Sequence, residues 1–130
     1  MIVAKNKQKD ILVTTALPYA NGPIHLGHML EHVQTDIFVR AKKLQGHNIL
    51  YFCADDAHGA PIMIKAAECN EDPEKFTKKI QKEHIEDFMK FSIDYTNYHT
   101  THSKENKDIV NNIYECLCKN NLESSTNDLL

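Results

Sequence analysis

The chain has 130 residues, 42% hydrophobic and 25% charged, a size and composition typical of one small globular domain. Its 15 basic residues against 18 acidic ones give a formal net charge of -3, which excludes an overall basic field for nucleic acid. The longest apolar stretch, Ile49 to Ala54, is far shorter than the roughly 20 residues that span a membrane. With no Cys-x-x-Cys pair and no secretory signal, we expect a cytoplasmic protein with reduced thiols and no membrane contact.

The first strand is predicted directly after a polar, lysine-rich tail at residues 1–10. Ile11 to Thr15 is short, β-branched and continuous rather than alternating. Such a run is typical of a strand buried on both faces of a parallel sheet.

A loop and a long helix are predicted next. Pro18, Gly22, Pro23 and Gly27 lie within ten residues and exclude regular structure until about His25. Apolar residues then recur at helical spacing up to Gly46, which stands where a helix C-cap is expected. These apolar residues are Leu30, Val33, Ile37, Ala41 and Leu44.

A second apolar run, Ile49 to Ala54, ends at the polar turn Asp55 to Pro61. A strand, a helix and a strand form a βαβ unit, whose crossover is expected to be right-handed. Both strands then end at one edge of the sheet, and their two loops face one crevice. The predicted fold is therefore α/β, a Rossmann-type nucleotide-binding fold with a parallel sheet and flanking helices.

Three helices and one strand are predicted in the second half of the chain. Spacing of Phe76, Ile80, His84 and Phe88 indicates an amphipathic helix, and Asp72 followed by Pro73 is typical of its start. The remaining elements are a short helix at Pro61 to Glu68, a strand within Ile93 to Thr100, and a helix capped by Ser103 that carries Ile109, Ile113 and Leu117.

The loop Pro18 to His28 has the properties of an anion-binding site. It leads into a helix, where a phosphate would meet unpaired backbone N–H groups and the positive end of the helix dipole. Gly27 lacks a Cβ, so that a base or sugar can approach the backbone. In adenylate formation, a carboxylate attacks the α-phosphate and pyrophosphate leaves, and donors fixed in advance stabilise the transition state. We predict that His25 and His28 are those donors.

Alternatives remain open at several of these residues. His25, His28 and His32 share a helical face and could hold a metal or simply cap the helix, although no acidic or cysteine ligand is positioned with them. The pair Asp55 and Asp56 could be a solvated turn instead of a ligand site. His58 could orient that turn or touch a ligand. A basic helix face at Lys75, Lys78, Lys79 and Lys82 is more typical of a solvated surface than of a nucleic-acid contact.

Three segments carry a resemblance to a known family. The sequence His25-Leu26-Gly27-His28 resembles the HIGH signature of class I aminoacyl-tRNA synthetases. Ala16 to Gly22 before it and Cys53 to Gly59 after it resemble the methionyl-tRNA synthetases in particular. The similarity runs from about Ile11 to Leu117.

The resemblance implies specific binding residues. It implies that ATP is bound by Asn21, His25, Gly27 and His28, and methionine by Ala16, Leu17, Tyr19 and Asp56. Asp56 would receive the α-amino group, since a carboxylate is a suitable ammonium partner. The Tyr19 ring would lie near the thioether, a favourable contact of about 0.3–1.5 kcal/mol.

The resemblance also implies a function, that of a methionine–tRNA ligase. Such an enzyme uses ATP with Mg²⁺ to form methionyl-adenylate and transfers methionine to tRNA(Met). Residues 11–118 match the N-terminal part of the catalytic domain, and residues 119–130 form a divergent tail. The family's Lys-Met-Ser-Lys-Ser loop and its zinc knuckle are absent, so the fold is expected to be the first half only. Zinc is possible in the full-length enzyme, but this chain is expected to hold no zinc ligands. The alternative is a truncated, inactive fragment that binds nucleotide or methionine.

Overall fold

The computed structural model describes residues 7–120, so residues 1–6 of the predicted tail and residues 121–130 lie outside the described part. Three strands and four helices follow one another along the chain. They are β1 (Asp10–Thr14), α1 (Leu26–Leu44), β2 (Asn48–Asp55), α2 (Ala60–Glu68), α3 (Pro73–Lys90), β3 (Asn97–Thr100) and α4 (Lys104–Lys119). None of these helices is long and apolar enough to cross a membrane.

The three strands form one parallel sheet in the order β1-β2-β3. Ile11 of β1 lies opposite Ile49 of β2, and Phe52 of β2 lies opposite Asn97 of β3. The predicted α/β fold of Rossmann type, with a parallel sheet and flanking helices, is confirmed. Because all three strands run the same way, the segments that follow them begin at one edge of the sheet.

The core lies between one face of the sheet and the helices. Ile49 and Tyr51 of β2 pack in one cluster with Val39 of α1, Phe88 of α3 and Ile93. A second cluster lies beneath the loop that precedes α1 and joins that loop to α2 and α3. Its buried members are Ala20, Ala57, Ile62, Ala66, Phe76 and Ile80.

The prediction that the first strand is buried on both faces is wrong for the described chain. Leu12 is 65% exposed and Leu50, its neighbour across the ladder, is 43% exposed, whereas Ile49 is 6% exposed. The cause is position, because β1 is an edge strand and the core clusters occupy only one face of the sheet. The apolar run of β1 therefore alternates between half-buried and exposed positions instead of being enclosed.

The predicted helix ends are confirmed. The Asp72 carboxylate accepts hydrogen bonds from the backbone N–H groups of Glu74 and Lys75 at 3.1 and 3.2 Å, and Pro73 begins α3. Gly46 follows the end of α1 with a φ of +84°, a conformation that favours glycine. Ser103 caps α4 by accepting from the backbone N–H of Asn106 at 3.1 Å.

The predicted strand at 93–100 is confined to its second half. Ile93 donates its N–H to the Phe88 carbonyl, so this segment still wraps around the end of α3 and packs Ile93 into the core. Strand pairing with β2 begins at Asn97, just after Thr96, whose N–H donates to the Tyr51 carbonyl at 2.7 Å. The predicted basic face of α3 is largely neutralised by neighbouring acids, in the pairs Lys78–Glu74, Lys79–Glu71 and Lys82–Glu86.

The one-sided core gives a prediction about stability. Ile49→Ala removes a buried side chain and should lower the free energy of unfolding by about 2–5 kcal/mol. Leu12→Ala, on the uncovered face of the same strand pair, should cost less than about 1 kcal/mol. Urea unfolding of both variants measures this, and equal losses would mean that the second face is covered in solution.

Candidate active site

The loop before α1 ends in a reciprocal cap made by two histidines. Nδ1 of His25, the N-cap residue, accepts from the backbone N–H of Gly27 at 3.1 Å and of His28 at 3.4 Å. Nδ1 of His28 accepts in turn from the backbone N–H of His25 at 3.5 Å. Both Nδ1 atoms are therefore acceptors that satisfy N–H groups at the helix start.

This cap determines where each ring carries its proton. A neutral imidazole that accepts at Nδ1 is protonated at Nε2. The rings of His25 and His28 are stacked, with centroids 3.6 Å apart and planes inclined by 18°. Neither Nε2 has a hydrogen-bond partner among residues 7–120. Two adjacent N–H donors thus stand beside the N-terminus of α1.

The neutral state of His28 follows from its surroundings. Partial burial lowers the pKa of its imidazole below the ordinary 6.5, and the neighbouring His25 and His84 rings lower it further. A neutral ring donates through Nε2 while it keeps accepting through Nδ1. Capping the helix and donating to a ligand are therefore compatible roles for this residue, although the sequence presented them as alternatives.

Gly27 is required by the His25 ring. A Cβ at this position would lie 3.0 Å from Cε1 and 3.1 Å from Nδ1 of His25. A side chain there would push the ring away from the N–H groups that it caps. In this structure the space beside Gly27 is thus occupied by the capping imidazole.

Three of the four residues predicted to bind methionine, Ala16, Leu17 and Tyr19, lie in the loop after β1. The backbone N–H of Ala16 donates to Oε1 of Glu31 at 2.8 Å, which ties this segment to α1. Leu17 is 42% exposed and Tyr19 is half-buried. Glu31 was not singled out from the sequence, because nothing in its spacing indicates a bond to a backbone 15 residues earlier.

Asp56 lies beside the same loop through an isolated parallel bridge with Tyr19. Its N–H donates to the Pro18 carbonyl at 2.8 Å, and its own carbonyl accepts from the Ala20 N–H at 2.9 Å. The backbone of Asp56 is therefore fixed while its side chain is exposed. Asn21 forms the outer turn, where its N–H donates to the Tyr19 carbonyl at 2.8 Å.

The lack of a side chain at Gly59 leaves room for the Tyr19 ring. The glycine has a φ of +126°, and a Cβ there would lie 2.6 Å from the Tyr19 hydroxyl oxygen. The turn after β2 and the loop after β1 therefore meet at this ring. The sequence predicted that the two loops face one crevice, and this contact joins them.

Beneath the loop is a buried polar network that the sequence did not reveal. Asp55 and His84 are each 1% exposed, and Nδ1 of His84 lies 2.7 Å from Oδ1 of Asp55. The same oxygen accepts from the Tyr98 hydroxyl at 2.5 Å. Nε2 of His84 lies 2.7 Å from the carbonyl oxygen of Gly22, in the loop. Asp55 is thus a buried structural carboxylate, in contrast to the exposed Asp56.

His32 does not join the histidine pair. It is 1% exposed, and its Nδ1 lies 2.6 Å from the Tyr95 hydroxyl. Burial lowers its pKa to about 4. Within residues 7–120, no group of three His, Cys, Asp or Glu side chains could hold a metal ion, so His25, His28 and His32 form no metal site there.

His58 takes part in a separate cluster at the ends of β2 and β3. Its Nε2 lies 3.1 Å from Nδ1 of His102, and its Nδ1 lies 3.3 Å from the Thr101 hydroxyl. The cluster borders a cavity of about 670 Å³ that Lys104 and Lys107 also line. His58 therefore fixes the turn, and it also reaches a space that could admit a ligand.

Comparison with known proteins identifies a family. The model of the family described as "tRNA synthetases class I (M)" matches residues 11–128. This match covers most of the chain and includes the loop, both histidines and the turn after β2.

Two solved structures of Mycobacterium tuberculosis methionyl-tRNA synthetase with methionyl-adenylate are similar to the chain. One is 23% identical with a TM-score of 0.74 over 75% of this chain, and the other is 21% identical with a TM-score of 0.69 over 76%. A ternary complex of Agrobacterium radiobacter K84 LeuRS, tRNA and LeuAMS is 23% identical with a TM-score of 0.83 over 90%. The chain spans 19% of each methionyl enzyme and 15% of the LeuRS chain. At these identities, the likeness shows the fold alone.

The capping geometry gives a prediction about protonation. We expect both His25 and His28 to carry their proton at Nε2 at pH 7, His28 to titrate below 6.5 and His32 near 4. Because these folded-state pKa values are lowered, stability should fall as pH drops from 6.5 towards 4. Long-range ¹H–¹⁵N spectra across this range report the protonated nitrogen and the pKa of each ring, and urea unfolding at each pH measures the stability. A proton at Nδ1 of His25 would contradict the cap.

Proposed function

The chain belongs to the class I tRNA synthetases, and from this premise we propose that it carries the HIGH-motif part of a methionine–tRNA ligase active site. The reaction is activation of L-methionine with ATP to methionyl-adenylate, followed by transfer of the methionyl group to tRNA(Met). The observation that carries the proposal is the pair of Nε2–H donors on His25 and His28 at the start of α1, which have no partner among the described residues. We place this activity in the cytoplasm.

The two histidines act on the phosphates of ATP. When the methionine carboxylate attacks the α-phosphate, negative charge spreads over the phosphoryl oxygens as pyrophosphate leaves. Donors that are already fixed stabilise this charge without reorganising at that moment, and only stabilisation beyond that of bound ATP accelerates the step. The cap supplies that fixation, since each ring is held by a backbone N–H at its Nδ1. Asn21 and Gly27 complete the proposed ATP contacts.

The amino acid lies on the other side of the loop in this proposal. Asp56 is exposed and fixed through its backbone beside Tyr19, which suits it to receive the α-amino group of methionine. Ala16, Leu17 and Tyr19 line the thioether. The methionyl and leucyl enzymes both match the fold, so the preference for methionine rests on these side chains and on the family model.

Magnesium enters the proposal with ATP. The described residues contain no group of three metal-binding side chains, so they offer no protein cage for the ion. In this proposal the described residues bind phosphate through N–H donors, and magnesium, when bound, would neutralise phosphate charge.

A second candidate function is a fragment that binds nucleotide or methionine without turnover. It is favoured by the positions of His25, His28 and Asp56. All three lie on segments that follow β1 or β2, and so they form one wall of the site. Both candidates predict binding. They differ only in whether methionine and ATP together give pyrophosphate.

Binding of ATP tests the role of the histidine pair. His25→Asn keeps an acceptor suited to capping but loses the Nε2–H donor, so ATP affinity should fall about tenfold, as expected for one hydrogen bond to a charged group. The matched control is His47→Asn, because His47 lies just before β2 at the opposite edge of the sheet. Isothermal titration calorimetry with ATP measures the effect.

Equal affinities in His25→Asn and the original chain would remove His25 from the site. If the original chain gives no heat with ATP, the proposed ATP site itself is refuted. Circular dichroism of each variant confirms that the fold is retained in the comparison.

Binding of methionine tests Asp56 separately. Asp56→Asn removes the charge opposite the ammonium group and should weaken methionine binding by about tenfold or more. Asp10→Asn is the matched control, since Asp10 is an exposed carboxylate at the other end of the sheet that only bonds Asn48 at 2.9 Å. Calorimetric titration with leucine in parallel tests specificity, and leucine binding more tightly than methionine would overturn the choice of substrate.

A further inference from the structure

We propose that His84 is a positioning residue of the ATP site, whose imidazolium is held by Asp55 and holds the loop Pro18 to His28 through the carbonyl oxygen of Gly22. The inference rests on the proposed ATP site. It adds a residue of α3 that lies outside the segments resembling a known family motif and touches no substrate.

Both ring nitrogens of His84 carry a proton. A backbone carbonyl can only accept, so Nε2 of His84, at 2.7 Å from the Gly22 oxygen, must carry a proton. Nδ1 lies 2.7 Å from Oδ1 of Asp55, an oxygen that already accepts from Tyr98. The other oxygen, Oδ2, is buried without a partner among the described residues, so a proton placed on it would find no acceptor there. Both ring nitrogens therefore donate, and the ring is cationic.

The groups around His84 support this charge state. Burial alone would lower its pKa, but the hydrogen bonds to Asp55 and to the Gly22 carbonyl outweigh burial and raise the pKa above 6.5, with a contribution from Asp87 of α3. From β3, Tyr98 faces Asp55 and keeps its own proton, because burial and the Asp55 charge raise the pKa of its hydroxyl. From α1, His28 and His32 face the ring, and its charge helps to lower their pKa values.

His84 supplies a hydrogen bond that ties the loop to the rest of the domain. Within the described chain, the bond from His84 is the hydrogen bond that joins residues 21–24 to the body of the domain. Pro23 has no N–H, and the Asn21 N–H is used inside the loop by the Tyr19 carbonyl. Ile24 adds apolar contact with the core. The direction in which the chain enters the His25 cap is thus fixed by Ile24 and by one charged hydrogen bond.

The bond between His84 and Gly22 affects ATP affinity through the position of the chain at the start of α1. A fixed entry to α1 keeps the His25 and His28 rings stacked with their Nε2–H groups outward. The buried positive charge also favours neutral His28, which keeps its Nδ1 free to accept. Without the imidazolium, the loop must be ordered when ATP binds, and that ordering lowers affinity.

The test compares His84→Gln with His32→Gln. Glutamine at 84 cannot donate in opposite directions, whereas position 32 is an equally buried histidine that bonds Thr15 and Tyr95 rather than the loop. We expect amide hydrogen exchange at Gly22, Ile24 and His25 to become about tenfold faster in His84→Gln and to stay unchanged in His32→Gln. ATP affinity should fall about tenfold in the first variant only.

The pH profile separates positioning from a merely structural role. The ratio of ATP affinities between the original chain and His84→Gln, measured at one pH at a time, should be constant up to pH 6.5. It should then decline as pH rises through the pKa of His84, because loss of the Nδ1 proton removes the charge-assisted bond to Asp55 and leaves only a neutral Nε2–H to hold the Gly22 carbonyl. Titration of ATP itself cancels in this ratio.

Two results would overturn the inference. One is a ¹⁵N spectrum of the original chain at pH 6.5 with His84 protonated on a single nitrogen, a measurement that holds even where His84→Gln does not fold. The other is unchanged loop exchange in a folded His84→Gln variant. If the original chain binds no ATP but the loop loosens in His84→Gln, the proposed function fails while the positioning role of His84 stands.

Discussion

A buried ion pair connects the elements on which the site depends. Asp55 ends β2, Tyr98 lies in β3, His84 lies in α3, and Gly22 lies in the loop that leads to α1. Removing one partner of such a pair leaves an uncompensated buried charge, typically at a cost of about 3–5 kcal/mol. The same contacts therefore stabilise the sheet where β2 and β3 end and fix the position of the loop before α1. The stability of the fold and the geometry of the site both depend on them.

The histidines of this chain differ in function because their atoms have different partners. His25 and His28 use Nδ1 for the backbone and leave Nε2 available, whereas His84 uses both nitrogens and is closed to ligands. His32 is buried and neutral, with its pKa lowered to about 4. A count of histidines near the loop would not separate these cases. The hydrogen-bond partner of each ring nitrogen does.

Local sequence signals predicted most of the fold, because they act within a few residues. Gly46 after α1 and Pro73 at the start of α3 act through backbone geometry, and Asp72 acts through a side-chain cap two and three residues away. The exposure of Leu12 could not be predicted, since burial depends on which elements cover the sheet. The importance of His84 could be predicted, because it occupies a core position in an otherwise apolar helical stripe. Its hydrogen bond to Gly22 could not be predicted, because 62 residues separate the two.

Selection between amino acids has a physical limit at the proposed site, whose single wall consists of the loop after β1 and Asp56. Structures of methionyl and leucyl enzymes both share its fold, and either amino acid would offer the same ammonium group to Asp56. Discrimination would then depend on the contact between the side chain and Tyr19 or Leu17. A difference in one apolar contact is worth only about 1–3 kcal/mol, even in an enclosed pocket. Leu17 is 42% exposed, so less than that is available here. In the proposed site, this wall would orient the amino acid and ATP, and strong selection would require a surface that encloses the side chain.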